Sequence, residues 1–110
     1  MTRPLKMSIP ECRLPETAVG PQLARYRRLA EHVTDIHRDI GQLRVQFDDS
    51  VPDGLLDHAL AVERECCSFV GLDYQPQTRL LTITVANVAQ DPRLDTLRAL
   101  LSPPGARPAD

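Results

Sequence analysis

Residues 55–74 read LLDHALAVERECCSFVGLDY, and this stretch decides how the chain is organised. Leu55, Leu56, Ala59, Leu60 and Val62 recur at the three- and four-residue spacing of one helix face, which Val70 extends. Two adjacent cysteines, Cys66 and Cys67, fall in the last turn. Gly71 is placed to supply a left-handed C-cap, and Gly71–Gln75 then reads as a short strand. The pattern predicts a helix that carries two thiols to its own C-terminal end.

Working back toward the N-terminus, Gln42 to Asp48 alternates strictly, with Leu43, Val45 and Phe47 on one face, the mark of a half-buried strand. The turn DDSVPDG links it to the central helix, with Ser50 or Asp53 as N-cap beside Pro52. Before that strand, Tyr26, Leu29, Val33, Ile36 and Ile40 form an apolar stripe that predicts a helix from Pro21 to Arg38, ended by Gly41. Residues 1–20 carry Pro4, Pro10 and Pro15 without periodicity and read as an extended arm bearing Cys12.

Toward the C-terminus, Pro76–Gln77 is a hairpin link into a strand over Thr78–Asn87. Asp91-Pro92 pairs an N-cap with a proline at N1, and Leu94, Leu97 and Leu101 form the stripe of a last helix. Residues 103–110 are a tail, leaving 21–102 as a single domain. The predicted order is α-β-α-β-β-α: an α+β two-layer relative of the ferredoxin-like folds, with a three-stranded, mostly antiparallel sheet. Its open edges suit a homodimer formed by pairing sheets.

Composition narrows the function. The chain has 110 residues, 42% hydrophobic and 4% aromatic, with a formal charge of −2. No Lys/Arg run marks a nucleic-acid footprint; Arg25, Arg27 and Arg28 read as a solvated helix face. No apolar run reaches the ~18 residues of a membrane span, and MTRPLKMSIPEC lacks the apolar stretch of a signal peptide. A cytoplasmic protein is expected, with free thiols rather than disulfides. Three cysteines, an odd number, leave at least one unpaired in any disulfide scheme.

Neighbouring helical residues lie about 100° apart around the axis. Their Cα atoms are about 3.8 Å apart, closer than the roughly 4.4–6.8 Å of a disulfide. Cys66 and Cys67 are therefore read as separate thiols. The negative end of the helix dipole and the nearby Glu63 disfavour a thiolate there, whereas a bound cation deprotonates a coordinating thiol outright. This favours a soft-metal site over a thioredoxin-type centre, which places C-x-x-C at a helix start. Glu63, three and four residues before the cysteines, shares their face. It is a ligand or a proton acceptor, or else it skirts the core and reaches solvent. Cys12, Cys66 and Cys67 would bind Cu(I) or Hg(II), or Zn(II) with Glu63 or water as fourth ligand. The alternative is that they are buried core cysteines. His32, His37 and His58 lack ligand spacing and read as surface residues.

The segments ECRLPETAVGPQLARYRRLAEHV, LRVQF, LAVERECCSFVGLDY and LLTITV, spanning Cys12 to Leu101, resemble a group of small bacterial proteins. Members share an early C-x-L-P segment and an E-x-x-C-C-[PS]-F segment, and occur alone or attached to metal-responsive regulators of the mercury-resistance type. The matching positions are Cys12, Leu14, Pro15, Glu63, Cys66, Cys67, Ser68 and Phe69. After Phe69, Val70-Gly71-Leu72 replaces the more aromatic F-x-F of the group. The resemblance implies heavy-metal or thiol chemistry. Three functions follow. The leading one is a soft-metal sensor, buffer or carrier rather than an enzyme. The others are a thiol enzyme for organomercurial cleavage or thiol transfer, with Glu63 as proton shuttle, and a dimeric interaction module with structural cysteines.

Overall fold

The computed structural model describes residues 16–66 and 69–103, Glu16 and Cys66 by their backbone alone. Helix α1 (Glu16–Ala30) leads into the β1–β2 hairpin (Val33–Asp39 and Gln42–Phe47). Helix α2 (Asp53–Cys66) then crosses to the β3–β4 hairpin (Val70–Gln75 and Leu80–Val85), and a short 3-10 turn (Val88–Gln90) precedes α3 (Pro92–Leu101). The sheet order is β1-β2-β4-β3 and every neighbouring pair is antiparallel. The α+β class is as predicted. The number of strands and their order are not: four strands run α-β-β-α-β-β-α, and this departs from the β-α-β-β-α-β of ferredoxin-like folds.

The extra strand lies where a helix was expected. Val33 and Ile36 are three apart, a helical spacing, yet both face the core from β1. A bulge between Val33 and Asp35 is the reason: Val33 pairs with Phe47, Asp35 with Gln46 and Ile36 with Val45. The additional residue restores Ile36 to the face that strict alternation would have denied it. Gly41, read as a helix terminator, instead turns the hairpin at φ +74. Helix α1 begins earlier than expected, so Glu16–Gly20 belong to it rather than to the arm, and Pro21 lies inside it at the loss of one backbone hydrogen bond.

Gly71 is also not a helix cap. It is the second residue of β3, paired with Thr84, where a Cβ would stand 2.7 Å from Thr84 Oγ1 and would oblige that exposed side chain to turn away, the Thr84 carbonyl lying at an ordinary 3.8 Å. The β3–β4 loop holds Pro76–Arg79, and Gln46 of β2 donates to the Thr78 carbonyl at 2.6 Å.

Alternation in the strands sends Leu43, Val45, Phe47, Leu81 and Ile83 to one face. Leu29 of α1, Leu56, Ala59 and Leu60 of α2, and Leu94, Leu97 and Leu101 of α3 close over them. Each fully buried large aliphatic side chain contributes about 1.5–3 kcal/mol, and these contacts hold the helical layer on the sheet. The opposite face, with Arg44 and Thr84, is open to solvent. Among the described residues no helix is long and apolar enough to cross a membrane.

One polar junction fixes α3 to the sheet. Asp91 stands at the α3 N-cap but makes no capping bond with its side chain. It accepts instead from the Gly41 amide at 2.6 Å and from Arg38 Nη2 at 2.7 Å. Arg38 Nε donates to Asp95 Oδ1 at 3.0 Å. The Arg38 guanidinium and the Gly41 amide hold the Asp91 carboxyl below its ordinary value.

Two glycine substitutions should move stability in opposite directions. Gly41→Ala should cost about 1–2 kcal/mol from its left-handed φ alone, since the new Cβ would meet only the Val85 carbonyl, at an ordinary 3.7 Å. Gly20→Ala, in α1 with nothing within 4 Å, should stabilise by about 0.5–1 kcal/mol. Urea unfolding midpoints measure both.

Candidate functional site

Helix α2 ends at Cys66, and β3 begins at Val70, which pairs with Val85 at the end of β4. The Gly41 carbonyl accepts from the Val85 amide at 3.1 Å. The β1–β2 turn, the exit of α2 and the approach to α3 therefore gather at one end of the sheet. Phe69, half-buried, packs against the core just before β3 begins.

One turn before Cys66, α2 carries a buried charge. Glu63 is 1% exposed, on the face that also buries Leu56, Ala59 and Leu60. The expectation that it might skirt the core and reach solvent is overturned. A carboxylate in that position needs partners, and two other helices provide them. Arg93, from the first turn of α3, donates through Nη2 to Glu63 Oε2 at 2.9 Å and Oε1 at 3.2 Å. Tyr26, from α1, donates its hydroxyl to Oε1. One turn earlier on both helices, Gln22 Nε2 donates to the Ala59 carbonyl at 3.0 Å, and Gln22 itself is held by Arg25 at 2.6 Å. The three helices thus share one polar junction inside an otherwise aliphatic layer.

The electrostatics follow from burial. Tyr26 is 4% exposed, and desolvation, with the Glu63 charge beside it, raises its phenol well above the ordinary 10.0. Tyr74, edge-on to Phe47 with ring centroids 6.4 Å apart, is also raised by desolvation. The Arg93 side chain, 18% exposed, supplies the countercharge to Glu63.

Of the predicted site residues, the structure places Glu63 in full and Cys66 as the last residue of α2. Cys12 and Cys67 lie outside the described residues. Among the described residues no group of three or more His, Cys, Asp or Glu side chains comes together. His32 is engaged by Asp48 and Ser50, each at 3.2 Å, while His37 and His58 are exposed. Arg27 and Arg28 are solvated as expected; Arg25 is half-buried against Gln22. Sequence reasoning missed Tyr26, Arg93 and Gln22. A signal for the first two existed, since a glutamate inside an apolar stripe calls for a cation and a donor from elsewhere in the chain.

The cluster makes two expectations. Arg93→Met should cost about 3–5 kcal/mol, because it leaves Glu63 buried without its cation. Combining it with Glu63→Met and Tyr26→Phe should recover most of that loss in urea unfolding. In alkaline titration the raised phenols should keep both tyrosines protonated as pH passes 10.0, the value at which they ionise once unfolded. The unfolded state then binds fewer protons, so stability falls as pH rises beyond that point. Phenolate absorbance should therefore appear together with loss of circular dichroism, and Tyr26→Phe should weaken this alkaline limb. Compared with known proteins, the chain matches no family model, no curated protein and no solved structure.

Proposed function

We propose that this protein binds a soft metal ion through thiolate sulfurs, with Cys66, the last residue of α2, and its neighbour in sequence Cys67 as primary donors and Cys12 as the third. Its role is that of a small sensor, buffer or carrier in the cytoplasm. The observation that carries the reading is the buried Glu63–Arg93–Tyr26 junction one turn before the cysteine pair. A domain of this size gains little stability from burying an ion pair where apolar side chains would pack as well. A junction that joins three helices at this point does fix the end of α2 in place. Soft ions such as Cu(I) and Hg(II), and the borderline Zn(II), suit sulfur donors. A helix C-terminus offers nothing to stabilise bare thiolates, so a cation is the natural partner for two of them.

The thiol-enzyme reading asks Glu63 to relay protons. With the side chain 1% exposed and both oxygens accepting hydrogen bonds, that role has less support.

Native mass spectrometry of protein purified without chelator, followed by titration with Zn(II), Cu(I) and Hg(II), tests the proposal. One ion per chain is the expected stoichiometry. Cys66→Ser or Cys67→Ser should weaken binding by more than the roughly 10–100-fold that loss of an outer hydrogen-bond partner costs, and Cys12→Ser should weaken it too. Stoichiometry and affinity unchanged in both α2 variants would sink the proposal.

A further inference from the structure

We infer that the outer edge of β3 pairs antiparallel with β3 of a second copy of this chain, about a twofold axis at Leu72, so that two four-stranded sheets become one. The inference draws on the sheet alone and is independent of the metal-binding reading.

The sheet has two edges, β1 and β3, and they meet solvent differently. An edge strand offers unpaired backbone groups, and natural sheets blunt such edges with bulges and inward-pointing charges. Strand β1 has both: the bulge between Val33 and Asp35, and Arg38, whose side chain turns inward to Asp91 and is 14% exposed. Strand β3 has neither. It pairs with β4 without a register shift from Val70 to Gln75, and its core-face residues Leu72 and Tyr74 are only half-buried. The direction of its polar groups follows from the alternation of an antiparallel ladder. Val85 turns its amide away from β3, to Gly41, and the Gln75 carbonyl accepts from Arg79 across the hairpin. Gly71, Asp73 and Gln75 therefore spend their amides and carbonyls on β4, while Val70, Leu72 and Tyr74 turn theirs outward. Arg64 of α2 meets them there, donating to the Leu72 carbonyl at 3.3 Å. Among the described residues no strand does.

The residues along this edge complement themselves in one register. Hydrogen bonds across it can be exchanged only between residues whose polar groups point outward. With Leu72 opposite the partner's Leu72, Val70 lies opposite the partner's Tyr74, and both contacts are apolar. On the open face Gly71 then lies opposite the partner's Asp73, so each carboxylate meets a position without a side chain. Sliding the strands until Asp73 is on the axis sets two carboxylates directly opposite one another, which is destabilising. Sliding them the other way carries Tyr74 past the start of the partner's β3. The glycine gains a reason in this arrangement. Within one chain a side chain at position 71 would oblige only Thr84 Oγ1 to move. A glycine inside a strand weakens it and often marks the close approach of another backbone, which the second copy supplies.

Sedimentation equilibrium of the full chain tests the inference, and a dimer is the expected species. Leu72→Lys sets two ammonium groups at the axis and should raise the dissociation constant by about tenfold or more, with circular dichroism unchanged. Thr34→Lys, exposed on the bulged edge of β1, should leave the dimer as it is. Position 71 reports the register. Gly71→Asp places a carboxylate opposite the partner's Asp73 and should weaken the dimer. Gly71→Lys places a cation there and should tighten it, the two constants differing by about tenfold. Both substitutions displace Thr84 alike, so lost packing within the chain does not produce the split. These two variants carry the test if Leu72→Lys does not fold. A parent chain that sediments as a monomer overturns the inference. So does a dimer that Thr34→Lys dissociates and Leu72→Lys spares, or one whose constants in the two Gly71 variants are equal.

Discussion

An aliphatic helical layer with a single carboxylate in its middle is stable only if that carboxylate is neutralised on the spot, and much of the arrangement of this chain answers to that constraint. Glu63 is buried on the same helix face as Leu56, Ala59 and Leu60. Its countercharge must therefore come to it. Arg93 does so because α3 begins at the end of the sheet where α2 stops, and Tyr26 does so because α1 lies against α2. The position of α3 is set in turn by Asp91, whose carboxylate is bound to the Gly41 amide and to Arg38. Two polar clusters, Arg38–Asp91 and Arg93–Glu63, flank the start of α3 two residues apart and tie it to the sheet edge on one side and to α2 on the other.

This arrangement links local sequence to the site by identifiable steps. The bulge in β1 turns Arg38 to the core face of the sheet, opposite Leu43, where it can reach both Asp91 and Asp95. Gly41 adopts the positive φ that lets the hairpin close and presents its amide to Asp91. Asp91 gives up capping α3 to make these bonds, and Pro92 at N1 needs no amide acceptor. Two residues later Arg93 enters the buried junction. Alteration at the edge strand is thus felt at the cysteine end of α2 through the placement of α3.

Much of this was legible in the sequence, and the parts that were not share a cause. The helices over α2 and α3, the strand at Leu43–Phe47 and the second hairpin follow from apolar period and turn residues, and they appear within a few positions of where those signals put them. The strand at Val33–Asp39 was hidden because its bulge gives Val33 and Ile36 a helical spacing. Gly71 resembled a helix cap because its pairing with Thr84 is a contact between strands that local sequence does not announce. Glu63 was recognisable as a carboxylate in need of a partner. Its partners were not, because Tyr26 is 37 residues away and Arg93 is 30, and periodicity carries no information over such separations.

Those separations have a consequence for the birth of the protein. The ribosome delivers the chain from its N-terminus, so the segment ending in Cys66 emerges well before the arginine that neutralises its buried glutamate. Until α3 has been made, α2 carries an unpaired carboxylate in its apolar face and has no fixed place at its C-terminal end. The docking of α2 is therefore completed only when α3 has been made. Completion of the last helix, ten residues from Pro92 to Leu101, is the event that brings a countercharge to Glu63 and closes the helical layer.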